Sequence, residues 1–191
     1  MSAKTAEFRV LVPLAEGFEE IEAVTVIDVL RRADIAVTTA TLAPSDASRS
    51  VRGAHDVVVE ADVSLDDVDA GDVHAIVLPG GMPGTKHLRE DARVLELVRA
   101  LADAGRPTAA ICAAPTVLAR AGVLDGRQAT SHPSVRSELG GAAVLGEPAV
   151  VTSGTVVTSQ GAGTAMAFAL ELVRQWKGRE LSEKLADAMV V

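Results

Sequence analysis

The amino-acid sequence predicts an α/β fold: a mainly parallel sheet with helices on both faces. Three observations carry the prediction. Short apolar or β-branched runs alternate with stretches of helical spacing, the order expected of βαβ units. The runs FRVLVPL and VHAIVL read as buried strands, and the second is closed by Pro79-Gly80-Gly81. Finally, 191 residues with 48% apolar side chains are enough for one domain, 1–191, with a full core. Aromatic residues are only 2%, so that core must be built from Ala, Val and Leu.

In chain order, Phe8–Leu14 is the first strand and Phe18–Arg32, with its i, i+3, i+4 apolar spacing, the first helix. Ile35–Leu42 is β-branched and alternating, hence a strand, and the small polar residues 43–54 read as a loop. Asp56–Glu60 and Val73–Leu78 are further strands, and Arg89–Ala104 reads as one amphipathic helix. Pro107–Ile111 is a strand leading to Cys112, and Pro115–Ala121 a short helix that opens on proline. Val150–Thr152 and Val156–Ser159 flank Gly154 as short strands, and helices follow over Thr164–Lys177 and Glu180–Met189. Ligands of such sheets bind beyond the carboxyl ends of the strands. The segments 15–22, 79–85, 112–116, 130–133 and 159–164 are therefore where chemistry is expected.

Composition excludes several classes. The net charge is −8 and no block of Lys and Arg occurs, which argues against nucleic acid and anionic membrane as partners. No run of 18 uncharged apolar residues is present, and the stretch MSAKTAEFRVLVPLAEGFEE lacks a signal-peptide layout, so the expected location is cytoplasmic. With one cysteine, no internal disulfide can form. No Cys or His ligands stand at zinc spacing and GxxxxGK[ST] is absent, so no metal and no cofactor is expected. Gly161-Ala162-Gly163 begins like a dinucleotide fingerprint, but Met166 stands where its third small residue belongs.

That cysteine, Cys112, lies in AAICAAPTVL. Ala110 and Ala114 leave room for a sharp strand-to-helix turn, as in nucleophile elbows, and Pro115 suits a first helical turn. A helix N-terminus would favour the thiolate. The alternative is a small buried hydrophobe in an alanine-rich segment. In EGFEEIEAVTVIDVL, the inward stripe Ala23, Val26, Ile27, Leu30 extends back through Glu19 and Glu22, whereas Glu20 falls on the side of Asp28 and Arg31. A carboxyl on a buried stripe has a raised pKa and can be a neutral donor; otherwise it bends out to solvent. Gly80 and Gly81 let the backbone approach a ligand, and the N–H groups of Gly81 and Ala113 could form an oxyanion hole; an ordinary turn is the alternative. Of four histidines, His74 reads as structural and His87 as exposed at a helix start. His132, in ATSHPS, sits at a strand exit where a base for a cysteine belongs.

Taken together, LAEGFEEIEAVTVIDVLRRA, HAIVLPGGMPGTKHL, AAICAAPTVLA, TSHP and TSQGAGTAMAFAL resemble the ThiJ/PfpI superfamily, in its branch of Parkinson disease protein 7 (protein deglycase and glyoxalase III-like). The resemblance implies a flavodoxin-like α/β sandwich, a homodimer, and a reactive cysteine at Cys112 hydrogen-bonded to a protonated Glu22. It places the oxyanion hole at Gly81 and Ala113, an active-site histidine at His132, and a further acid at Glu19, near the site and the dimer interface. Ala113 stands where the intracellular-protease branch carries histidine, which argues against peptidase chemistry. Ala162 replaces the proline usual after Gly161, which alters the mouth of the site. The implied function is cofactor-independent, cysteine-based turnover of small dicarbonyls such as methylglyoxal. The alternative is a non-enzymatic oxidative-stress sensor or chaperone-like protein that uses a Cys112 sulfinate.

Overall fold

A computed structural model describes residues 8–191. The part of the leader reading that rests on residues 1–7 lies outside them. The strands are β1 (Arg9–Leu14), β2 (Ala36–Thr41), β3 (Ser50–Arg52), β4 (Val58–Glu60), β5 (Val63–Ser64), β6 (Ala75–Leu78), β7 (Thr108–Ile111), β8 (Gln128–Ala129), β9 (Ala143–Val144), β10 (Val150–Ser153) and β11 (Val156–Ser159). The helices are α1 (Glu20–Arg32), α2 (Gly84–Glu90), α3 (Ala92–Asp103), α4 (Pro115–Arg120), α5 (Ala165–Lys177) and α6 (Arg179–Met189). Seven strands form one sheet in the order β10-β11-β7-β6-β1-β2-β5. All its pairs are parallel except β10 with β11.

The apolar run of β1 is explained by its place near the middle of this sheet, where both faces are covered. Val10, Val12 and Leu14 pack on one side with α1 and α5, through Val26, Leu30, Phe168 and Leu172. Leu11 points the other way and joins Leu88 of α2, Val98 of α3 and Leu118 of α4. A side-chain period of two thus feeds two separate cores. The chain leaves β1 toward β2 and β5, then crosses back to β6 on the other side of β1. The β1–β6 boundary is the topological switch point, where the carboxyl ends of the strands open a crevice.

Three expectations need correction. Residues 43–54 are not all loop: Ser50–Arg52 pairs antiparallel with Val58–Glu60 as a separate ribbon. The stretch Arg89–Ala104 is two helices, because the chain is extended at Asp91, which caps α3 by accepting from the Arg93 and Val94 N–H groups. His87 is exposed, as read, but sits in the middle of α2. His74 is structural as expected: it precedes β6 and its Nδ1 accepts from the Arg9 N–H at 3.2 Å. No helix among the described residues is long and apolar enough to cross a membrane.

Candidate active site

The carboxyl ends of β1, β6, β7 and β11 bring the predicted residues together. Cys112 follows β7 directly, and its N–H donates to the Ser159 carbonyl at the end of β11 (3.0 Å), while its own carbonyl accepts from His132 N–H (2.8 Å). The turn is tight: Ala114 N–H returns to the Ile111 carbonyl at 3.0 Å, and the Thr116 hydroxyl donates to the Ala113 carbonyl at 2.7 Å. Cys112 has φ +64°, left-handed backbone in a residue that is not glycine. That conformation costs about 1–2 kcal/mol and persists only where surroundings enforce it. Ala110 and Ala114 are fully buried on either side, which accounts for the small flanks of the elbow. Cys112 is half-buried: it packs against the core on one side without being fully enclosed.

Glu22 lies on the inward stripe, as the periodicity required, and is fully buried. Its Oε2 accepts from Gly80 N–H at 2.8 Å, and its Oε1 has no hydrogen-bond partner. Burial raises its pKa to about 7; Glu19 adds to the rise, and the Gly80 N–H and the Cys112 side chain oppose it. Gly80 is the spacer between the two reactive groups. A Cβ there would lie 2.6 Å from Cys112 Cβ and 2.7 Å from Glu22 Oε2, so no larger residue fits. Gly81 has φ +89°, and a Cβ there would meet the Glu19 nitrogen at 2.3 Å.

The expectation of a thiol depressed by a helix N-terminus is not met. α4 is six residues long, and burial together with the Glu22 charge pushes Cys112 up to about 12. The Gly81 and Ala113 N–H groups pull in the opposite direction, so the expected pair of amides acts on the sulfur itself. The influence of Glu22 on Cys112 reverses with its proton: an ionised carboxylate repels a thiolate, whereas a carboxyl O–H can donate to one.

His132 is exposed, and its N–H bond to the Cys112 carbonyl keeps it beside the elbow. A Cβ built on Gly161 would lie 3.7 Å from His132 Cδ2 and 3.9 Å from Cys112 Sγ, so Gly161 leaves open the space that the ring and the sulfur share. Its position two residues after β11, beside the elbow, agrees with the expectation that segment 159–164 lies at the mouth of the site. Glu19 turns elsewhere: its N–H donates to the Gly80 carbonyl at 2.9 Å, and its carboxylate lies 3.6 Å from His55 Nδ1. Glu20, read as outward, is buried at 8% exposure. It accepts from the His55 and Val57 N–H groups at 2.7 and 3.4 Å and meets His55 Nδ1 at 3.0 Å, which pins the β3–β4 ribbon to α1. Periodicity alone could not reveal a cover supplied by residues 53–57. Glu19, Glu20 and His55 are the one grouping of metal-ligand type among the described residues, with ligand atoms within 4.8 Å of one another. The hydrogen bonds of Glu20 identify it as a structural tie. A cavity of about 280 Å³ between Arg9, Thr38 and Asp72 lies at the opposite end of the sheet from the sulfur.

Two measurements follow from this geometry. An unfolded Glu22 releases its proton near its ordinary pKa of 4.5, while the folded chain keeps it until about 7. Stability contributed by this group is therefore complete below 4.5 and declines as pH rises through 7. Relative to Glu22→Gln, the wild type should lose on the order of 3 kcal/mol between about pH 4.5 and 7.5 in urea denaturation, at 1.36 kcal/mol per unit. A flat difference would mean that the carboxyl is not held protonated. Gly161 has φ 163°, extended backbone open to any residue. Gly161→Ala should leave the thermal midpoint unchanged and slow iodoacetamide alkylation of Cys112 roughly tenfold, about 1.4 kcal/mol of barrier. An unchanged alkylation rate would show that the sulfur is approached from another side.

Comparison with known proteins agrees with this geometry. Residues 8–175 match the model of the DJ-1/PfpI family. Protein dj-1beta of Drosophila melanogaster is 40% identical over 95% of this chain and 96% of its own. Glutathione-independent glyoxalase DJR-1.2 of Caenorhabditis elegans is 35% identical over 97% and 96%. The crystal structure of Drosophila melanogaster DJ-1beta superposes with a TM-score of 0.91 over 97% of this chain and 98% of that one. A structure of oxidized Toxoplasma gondii DJ-1, 35% identical, gives 0.90 over 96% and 98%. With a flavodoxin-like sheet, a left-handed cysteine at the exit of β7 and a buried acid beside it, the chain belongs to the DJ-1/PfpI family.

Proposed function

We propose that the chain is a cofactor-independent enzyme that isomerises and hydrolyses small dicarbonyls such as methylglyoxal, with Cys112 as nucleophile. The observation that carries this reading is the meeting of half-buried Cys112 and the fully buried Glu22 carboxyl at Gly80, where a Cβ would lie 2.6 Å from Cys112 Cβ and 2.7 Å from Glu22 Oε2. The glyoxalase name of the Caenorhabditis elegans relative supports it.

When Glu22 is ionised, its carboxylate takes the thiol proton, and the thiolate attacks the aldehyde carbon. A C–S bond forms as the C=O π pair moves to oxygen, where the Gly81 and Ala113 amides and the Glu22 proton receive it. In the hemithioacetal, Glu22 removes the hydrogen on C1 and returns it at C2, while the hydroxyl proton passes from the C1 oxygen to the C2 oxygen. His132 assists at those oxygens. Water then adds to the thioester and the thiolate leaves, giving lactate. One water is consumed, C1 is oxidised and C2 reduced by the same two electrons, and no external redox partner is required. In a protein deglycase reaction the sulfur would replace the protein amine at the hemiaminal carbon: the C–S bond forms, the C–N bond breaks, the amine leaves with the proton held by Glu22, and the same rearrangement and hydrolysis follow.

A second reading rests on the same amides and on the unpartnered Oε1 of Glu22. Two peroxide equivalents would convert the thiol to a sulfinate with release of two waters, and a protonated Oε1 would bond the new oxygen. One preparation tests both readings. Wild type should convert methylglyoxal to lactate, Cys112→Ala should not, and Glu22→Gln should lose roughly 10²–10⁴-fold while its sulfur still alkylates. No lactate, with two oxygens gained on Cys112 at low peroxide, would replace the enzymatic reading by the sensor reading.

A second copy of this chain is the partner we assign. Ile21 and Val24 of α1 and Val57 and Val58 of the ribbon are 47–56% exposed around the Glu20 tie, an apolar face of the kind that interfaces cover. A cytoplasmic location suits a chain whose single thiol must stay reduced. Sedimentation should give a dimer that Val24→Glu with Val57→Glu converts to monomer; a monomeric wild type would overturn the assignment.

A further inference from the structure

His132 is set by a contact that the chemistry above does not use. Its Nδ1 lies 2.7 Å from the Ser134 hydroxyl oxygen and 3.3 Å from the Ser134 backbone nitrogen. A hydroxyl can donate or accept, but a backbone N–H can only donate. Nδ1 therefore presents its lone pair, the hydroxyl is a second donor to it, and the proton of the neutral ring is on Nε2. Cδ2, bonded to Nε2, borders the space above Gly161 at 3.7 Å, and Cys112 Sγ borders the same space at 3.9 Å, so the Nε2 side of the ring opens toward it.

We propose that Ser134 is a positioning residue that holds His132 as the Nε2–H tautomer, making it a hydrogen-bond donor to the substrate oxygens and not a base for the thiol. The donor role rests on the dicarbonyl reading; the tautomer does not. With Nε2 already protonated and Nδ1 turned to Ser134, the ring offers the site no lone pair for the Cys112 proton, which leaves that task to Glu22. The division of labour is consistent with their surroundings. Glu22 is buried against the sulfur and moves protons, whereas His132 is at the solvent edge, where the oxygens of a bound dicarbonyl would emerge.

The hydroxyl of Ser134 has no part in the backbone of its turn. The Val135 N–H to His132 carbonyl bond, 3.1 Å, survives its removal, so a purely structural role predicts no change at the ring. The test uses the full chain and nitrogen-15 spectra of the histidine rings at about pH 8.5, where an unperturbed imidazole is neutral. Wild type should show His132 as one tautomer with Nδ1 unprotonated. Ser134→Ala keeps only the longer 3.3 Å backbone donor to Nδ1 and should show a raised share of the Nδ1–H tautomer, and Ser134→Thr should restore the wild-type pattern. On methylglyoxal, Ser134→Ala should lower kcat roughly tenfold with KM within about twofold, and Ser134→Thr should recover it. A protonated Nδ1 in the wild type, or an unchanged tautomer in Ser134→Ala, overturns the positioning role. A changed tautomer with unchanged kcat overturns the donor role. Absence of lactate from the wild type defeats the dicarbonyl reading and leaves the spectra to decide the tautomer.

Discussion

The meeting of a buried carboxyl with a partly exposed sulfur, across a single glycine, is the constraint on which the site depends. Glu22 cannot leave the interior without breaking the stripe that packs α1 onto the sheet, and cannot ionise there without cost. Cys112 cannot leave its left-handed turn without breaking two backbone bonds, one to Ser159 and one from His132. Gly80 holds the two at close range because it has no side chain to separate them. The two groups' least comfortable states relieve each other: a neutral acid is the best neighbour for a thiolate.

The fold supplies the rigidity this requires. The site is assembled from the ends of strands buried on both faces, not from a long loop, and two independent cores brace it from either side. The switch point between β1 and β6 puts α1 and the glycine turn on opposite banks of one crevice. The β3–β4 ribbon, tied down by Glu20, closes the first turn of α1 from outside. Its apolar residues and those of α1 share one surface, so the surface assigned to a second copy adjoins the elements that carry Glu22.

How far the site was legible differs residue by residue. Glu22 was legible from periodicity, because burial on a helix is a property of spacing within fifteen residues. Cys112 was legible as an elbow from its small neighbours and the following proline, and the motif order pointed to the same residue. Its acidity was not: the pull of a helix terminus is local, but the opposing burial and the Glu22 charge arrive from elements ninety positions away. Glu20 was misplaced for the same reason, since the side of a helix that faces solvent depends on what else the chain lays over it. The break at Asp91 was readable in principle as a cap, but the surrounding apolar spacing continued through it.

From its residues alone, this protein was determined to be a parallel α/β sheet with a cysteine at one strand exit, an acid on an inward stripe and a histidine at another exit. Those are consequences of local spacing, steric size and turn chemistry, which the chain carries in every conformation. Only the tertiary structure decided the balance of burial and charge on the sulfur, the tautomer-setting contacts of the His132 ring, and that Gly161 borders both. Electrostatics and access depend on distances between groups remote in sequence, and those distances do not exist until the strands are side by side.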